Sequence, residues 1–263
     1  MPRLYPFNCD FQGALPCARF PFIMDGRPIG GIGCGISSRA AGNMVYSGES
    51  NSPTRENCYR SLGLDPARVY GCTQVHSRKV LAVNRRSPNL RPEADGLVCR
   101  DRALVLSVTV ADCLPVYLYD ARGGGFALVH SGWQGTGIAL EALRLMTARW
   151  GTRPEEVAAV LGPCIRGCCY RVDAERACAF EAEFGGGAVR RVREPPGEGA
   201  AGGGEGRFAY YLDLPAANIR LLADAGVRNI AVCGDCTFTD DNFGSFRREG
   251  INYTRMAALI GVF

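Results

Sequence analysis

Only two histidines occur among the 263 residues, His76 and His130, so any imidazole chemistry must run through these two positions. His76 lies in GCTQVHSRKV and His130 in GGFALVHSGWQGTG. Between them, VTVADCLPVYLYD carries Asp112, Cys113 and Pro115. All three segments read as the ends of apolar strands, where a rigid scaffold holds a reactive side chain at an open tip. Two neutral imidazoles and a thiolate form a borderline-soft donor set that suits zinc. Three protein ligands leave a fourth position for water or substrate, which is a catalytic rather than a structural arrangement. The separations of 37 and 17 residues match no short local pattern. Taken singly, each residue reads as a satisfied core histidine or a buried cysteine. The shared strand-end setting is what groups them. A metal-free alternative makes Cys113 a nucleophile with His130 as its base.

Other groups could serve the same site. In HSGWQGTG, Gly132, Trp133 and Gly135 precede a helix, so backbone N–H groups and the helix start could cradle an anion. A plain strand-to-helix turn fits that pattern equally well. SFRREGINYTRM offers Arg247, Arg248 and Arg255 for a phosphate or a sugar-base ligand. Asp112 or Asp95 could orient ligands or supply a proton. Thirteen cysteines are present, an odd number. They read as small buried hydrophobes in a reducing compartment. LGPCIRGCC and CGDC place Cys164, Cys168, Cys169, Cys233 and Cys236 at spacings that a structural zinc could use. Packing is the preferred reading, because CGDC follows an apolar strand and lacks a thioredoxin-like helix start.

The scaffold must hold these tips. Residues 68–76, 79–84, 103–110, 115–119, 125–130, 157–161, 168–172 and 228–233 read as strands, and 135–150, 173–184 and 213–225 as helices. Strands outnumber helices and do not alternate with them regularly, which predicts a mixed α+β fold. Residues 185–206, GGGAVRRVREPPGEGAAGGGEG, read as a flexible, polar excursion within one domain spanning 1–263, remote from the site. Net charge is only +4 and no basic block is present, which argues against nucleic acid as a partner. No apolar run reaches a membrane span, and the first residues lack a secretory signal. A cytoplasmic monomer is expected. Two histidines are too few for the several copper centres of a multicopper oxidase.

QVHS, ADGLV, VADCLPV, HSGWQGTG, LGPCIRGCCYRV and SFRREG with a later TRM occur in the order seen in the bacterial laccase-domain proteins. This family is also called the polyphenol oxidase family and is described as purine nucleoside phosphorylases. The resemblance runs over about residues 30–263. It implies an α+β sandwich of two packed sheets flanked by helices. It also implies His76, Cys113 and His130 as metal ligands, with zinc, or copper, as the metal. The implied activity is phosphorolysis of adenosine, inosine and S-methyl-5'-thioadenosine, with adenosine deamination alongside and copper-dependent phenol oxidation as a secondary reading. Arg39 is the equivalent of an arginine in a shortened N-terminal segment. Gln134 stands where the family usually has arginine, and the tail carries one extra residue before Thr254. These departures fall on phosphate and ribose contacts, not on the metal ligands.

Overall fold

The computed structural model describes residues 1–11, 17–47, 50–88, 90–194 and 208–263. Seven strands form the larger sheet, in the spatial order Arg3–Phe7, Asn229–Cys233, Val157–Leu161, Leu114–Asp120, Phe126–Ser131, Gly96–Cys99, Val80–Val83. Five form the second, in the order Cys17–Met24, Arg27–Ser37, Met256–Gly261, Val105–Val110, Val69–Tyr70. Both sheets mix parallel and antiparallel pairs. The strand Leu114–Asp120 shows how they stack. Side chains alternate across a strand, so each face can be assigned separately. Tyr117 and Tyr119 point into the core between the two sheets, where they meet Phe20, Phe22 and Ile36. Leu114, Val116 and Leu118 point the other way, onto the helices Ile138–Trp150, Ala174–Phe184 and Leu214–Asp224. The far face of the second sheet is covered by the helix Pro53–Ser61 through Cys58 and Tyr59. The result is an α/β/β/α sandwich.

Local chemistry explains the helix limits. Ile138, Ala139, Ala142, Leu143 and Met146 form the buried stripe of Ile138–Trp150. That helix ends at Gly151, whose positive φ of 68° lets its N–H reach Thr147 O. Asp213 caps Leu214–Asp224 by accepting from Ala216 N–H, and Asp173 caps Ala174–Phe184 by accepting from Arg176 N–H.

Three expectations change. The strand expected over 68–76 stops at Tyr70. Beyond it, the N–H groups of Val75, His76 and Ser77 turn onto a carboxylate instead of a ladder. The strand expected over 168–172 shrinks to Arg171–Val172, because Cys169 and Tyr170 both donate to Arg166 O in a turn. The excursion expected over 185–206 begins with ordered structure: Val189–Arg193 pairs with Phe208–Leu212, with Val192 opposite Ala209. Residues 195–206 lie outside the described residues. Eight of the thirteen cysteines are buried and all are free thiols. Among the described residues, no helix is long and apolar enough to cross a membrane.

The core between the sheets carries the architecture, and Leu106 lies in it fully buried. Leu106→Ala should lower the unfolding free energy by roughly 2–5 kcal/mol. A shifted urea midpoint at constant m-value is the expected readout.

Candidate active site

The register between Leu114–Asp120 and Phe126–Ser131 pairs Leu114 with Ser131 and Pro115 with His130. Pro115 has no N–H to donate, and it sits where the ladder ends. Cys113 therefore leaves the strand directly opposite Gly132. A Cβ on Gly132 would lie 3.1 Å from Cys113 Sγ and 3.5 Å from His76 Cδ2. A side chain here would crowd the thiol and touch the imidazole, and glycine leaves both room. The ligand atoms of His76, Cys113 and His130 all lie within 4.8 Å of one another. The two rings meet edge to face, with centroids 5.0 Å apart.

Asp95 organises this cluster. It is fully buried beside the strand Gly96–Cys99. Its carboxylate accepts from the N–H groups of Val75 (3.1 Å), His76 (3.0 Å) and Ser77 (2.7 Å), and from Ser77 Oγ (2.9 Å). His130 Nδ1 stands 2.9 Å from Asp95 Oδ1. An ionised carboxylate can only accept, so Nδ1 carries a proton, and Nε2 is the nitrogen a metal would bind after displacing the proton there. Burial works against the Asp95 charge, but the bonds from His130 and Ser77 outweigh it and bring its pKa down to about 2. Burial also opposes a Cys113 thiolate. The charge of His130 and the hydrogen bonds from both histidines overcome it, pulling the thiol down to about 6. His130 is pushed up to about 9: burial disfavours its cation, and the Cys113 charge and the Asp95 bond prevail. A thiolate and two imidazoles match zinc in softness and number. His76, Cys113 and His130 thus fit the metal that the family resemblance implies.

Two of these residues have left-handed backbone, His76 with φ 59° and Asp112 with φ 85°. Such non-glycine conformations persist only where surroundings enforce them. His76 is held by its N–H bond to Asp95. Asp112 is held through its side chain, with Oδ1 accepting from Thr237 Oγ1 and Oδ2 from Arg247 N–H, each at 2.7 Å. Both carboxylate oxygens are engaged in bracing the segment of Arg247.

A pocket of about 590 Å³ opens over the cluster. Its walls include Tyr46, Trp133, Tyr170, Phe246 and Tyr253, and the guanidinium-bearing Arg91, Arg176, Arg247 and Arg255. Several guanidinium groups lie over aromatic faces: Arg176 on Trp133 at 4.7 Å, Arg255 on Tyr253 at 4.1 Å and Arg247 on Tyr170 at 5.5 Å.

Of the expected ligand contacts, Trp133, Arg247 and Arg255 line this pocket. Arg39, Gly132 and Gly135 do not. Arg39 pairs with Glu249 at 3.5 Å. Gly135 packs against Ser77 O and His130 O, and Gly137, at the helix start, faces the Arg78 side chain. The glycines of HSGWQGTG thus let this turn pack closely against its neighbours. Arg248 donates to Thr237 O and Phe238 O and serves the local chain. Arg91, Arg176 and Tyr46 were not singled out in the sequence. They come from segments with no motif of their own.

A family described as multi-copper polyphenol oxidoreductase laccase matches residues 45–263. The chain belongs to this family. A Mycobacterium tuberculosis relative named purine nucleoside phosphorylase is 34% identical over 191 residues, covering 72% of this chain and 70% of that protein. One of the same name from Deinococcus radiodurans is 33% identical over 238 residues, covering 89% and 86%. The crystal structure of YlmD from Geobacillus stearothermophilus superposes with a TM-score of 0.79 at 27% identity, covering 97% of this chain and 99% of that one. The laccase-family description suggests several coppers. Among the described residues, the group in this pocket with ligand atoms close enough to share one ion is His76, Cys113 and His130.

Asp95→Asn should weaken metal binding by roughly 10–100-fold in calorimetric titration, since the mutant amide no longer charges or orients His130. The lowered Asp95 pKa also stabilises the folded state above the unfolded value of ~3.9. That contribution should fade as pH falls through about 2. Acid titration of unfolding should show this loss in the wild type and a flatter curve for Asp95→Asn.

Proposed function

We propose that this chain is a zinc-dependent purine nucleoside phosphorylase. Its substrates would be adenosine, inosine and S-methyl-5'-thioadenosine, with adenosine deamination as a second activity of the same pocket. One observation carries the reading: His76, Cys113 and His130 converge under a pocket walled by aromatic rings and guanidinium groups. The names of the relatives support the substrate class.

The parts suit the chemistry. Phosphorolysis joins a phosphate oxygen to the anomeric ribose carbon while the bond to the purine nitrogen breaks, and the base leaves with a proton. Aromatic faces such as Trp133 and Tyr170 give the purine a stacking surface. Arg247 and Arg255 offer planar forks that match phosphate oxygens, and Arg91 and Arg176 add positive charge to the same walls. Asp112 keeps Arg247 in place through its backbone N–H. Asp95 keeps the His130 tautomer fixed and His130 stabilises the Cys113 thiolate. His76, Cys113 and His130 would hold the zinc, which when bound supplies Lewis acidity.

A second reading has an observation of its own. Asp95, His130 and Cys113 stand in the relation of orienter, base and thiol, as in a cysteine hydrolase. Chelation separates the two. A metal-free cysteine hydrolase survives it and loses activity to an alkylating reagent. A copper-dependent polyphenol oxidase would instead consume oxygen and require stoichiometric copper.

Inosine with phosphate should yield hypoxanthine and ribose 1-phosphate, and omitting phosphate should stop that reaction. Adenosine deamination should continue without phosphate, because water is the nucleophile. Cys113→Ala should abolish metal binding at the site of His76 and His130 and both activities while leaving the fold intact, as judged by circular dichroism. Full turnover by Cys113→Ala, or none by metal-loaded wild type, sinks the proposal.

A further inference from the structure

A second group of thiols lies outside the pocket. Cys168 is exposed, Cys169 half-buried and Cys236 buried, and their Sγ atoms all lie within 4.8 Å of one another. Cys168 and Cys169 Sγ are 3.3 Å apart. Thiolates bound ~2.3 Å from a tetrahedral zinc stand ~3.8 Å from one another, so the three sulfurs already bracket the required spacing. Two separate stretches of chain supply them. The turn around Arg166 presents Cys168 and Cys169, closed by the N–H groups of Cys169 and Tyr170 on Arg166 O. The CGDC segment presents Cys236.

These stretches are clamped together independently of the thiols. Thr237 N–H donates to Cys164 O at 3.1 Å, and the Arg166 guanidinium donates to Cys233 O. Arg166 N–H points at Cys236 Sγ at 3.4 Å, the kind of donor that stabilises a thiolate. The cluster opens onto a cleft of about 630 Å³ that also borders Arg190 and Asp213, leaving room for a fourth ligand from solvent. An exposed and a half-buried thiol over a buried third sulfur, held by a preformed backbone clamp, form a ligand arrangement and not core packing.

We propose that Cys168, Cys169 and Cys236 form a second metal centre, binding one thiophilic d10 ion such as zinc through three sulfurs and one solvent ligand. Each thiol releases its proton as its sulfur bonds the ion. The ion would lock the Arg166 turn onto the CGDC segment. That turn leads into Tyr170, on the wall of the pocket, and CGDC leads into Thr237, which holds Asp112 beside Cys113.

Cadmium binding to the Cys113→Ala protein isolates this centre from the first one and from any activity. The protein should bind one equivalent, with three sulfurs in its X-ray absorption spectrum. Cys168→Ser/Cys169→Ser in that background should abolish the binding without changing circular dichroism, since both positions are at least partly exposed. Cys178→Ser, at an exposed thiol outside the cluster, should leave it unchanged. Cys236→Ser should also abolish it. Absence of a bound equivalent in Cys113→Ala would overturn the proposal. So would its survival in the double serine variant, or its loss on Cys9→Ser, which would assign the ion to the neighbouring group of Cys9, Cys233 and Asp235.

Discussion

A carboxylate removed from water must be surrounded by donors or it does not stay charged. Asp95 is fully buried and has five: three consecutive backbone N–H groups, one hydroxyl and one imidazole. To collect them, the chain from Val75 to Ser77 must abandon strand geometry and wrap around the oxygens. That wrap puts His76 into left-handed backbone and turns its ring towards His130. The same carboxylate fixes the His130 proton on Nδ1. The backbone of Asp95 ties in as well, with its carbonyl accepting from His130 N–H and its own N–H donating to Lys79 O. One buried charge thus sets the conformation of one histidine and the tautomer of the other.

Asp112 plays a parallel part on the opposite side. Its left-handed backbone lets the chain turn sharply between the strand of the second sheet that ends at Val110 and the strand of the larger sheet that begins at Leu114. Cys113 sits in this crossing, so the thiol occurs where the two sheets are joined. The side chain of Asp112 then gathers Thr237 and the backbone of Arg247, bringing the C-terminal region over the pocket. Two buried carboxylates, neither a metal ligand, therefore bring together segments that are distant in sequence.

The trio His76, Cys113 and His130 was legible because scarcity and strand-end placement are properties of sequence. So were the α+β class and the helices expected over 135–150, 173–184 and 213–225, which depend on near neighbours. Asp95 could be named only as one of two candidate acids, because its donors come from 18 to 35 residues away. Arg91 and Arg176 escaped notice for the same reason, as isolated arginines that reach the pocket only through tertiary folding. The glycines of HSGWQGTG looked like anion contacts by type, and the family resemblance added Arg39. The structure uses Arg39 in an ion pair with Glu249 and the glycines for close packing. Residue type indicates what a group is able to do, and the fold decides which use is made of it.

The strand Met256–Gly261 lies in the middle of the five-stranded sheet, hydrogen-bonded to Arg27–Ser37 on one side and Val105–Val110 on the other. During synthesis both neighbours emerge long before it and wait with open edges. Arg3–Phe7 likewise waits for Asn229–Cys233, its parallel partner from the far end of the chain. Such high contact order makes folding slow, and exposed strand edges invite pairing with other chains. The sandwich can close only once Met256–Gly261 has left the ribosome, so a polypeptide lacking this strand would be an aggregation-prone fragment, not a shortened enzyme.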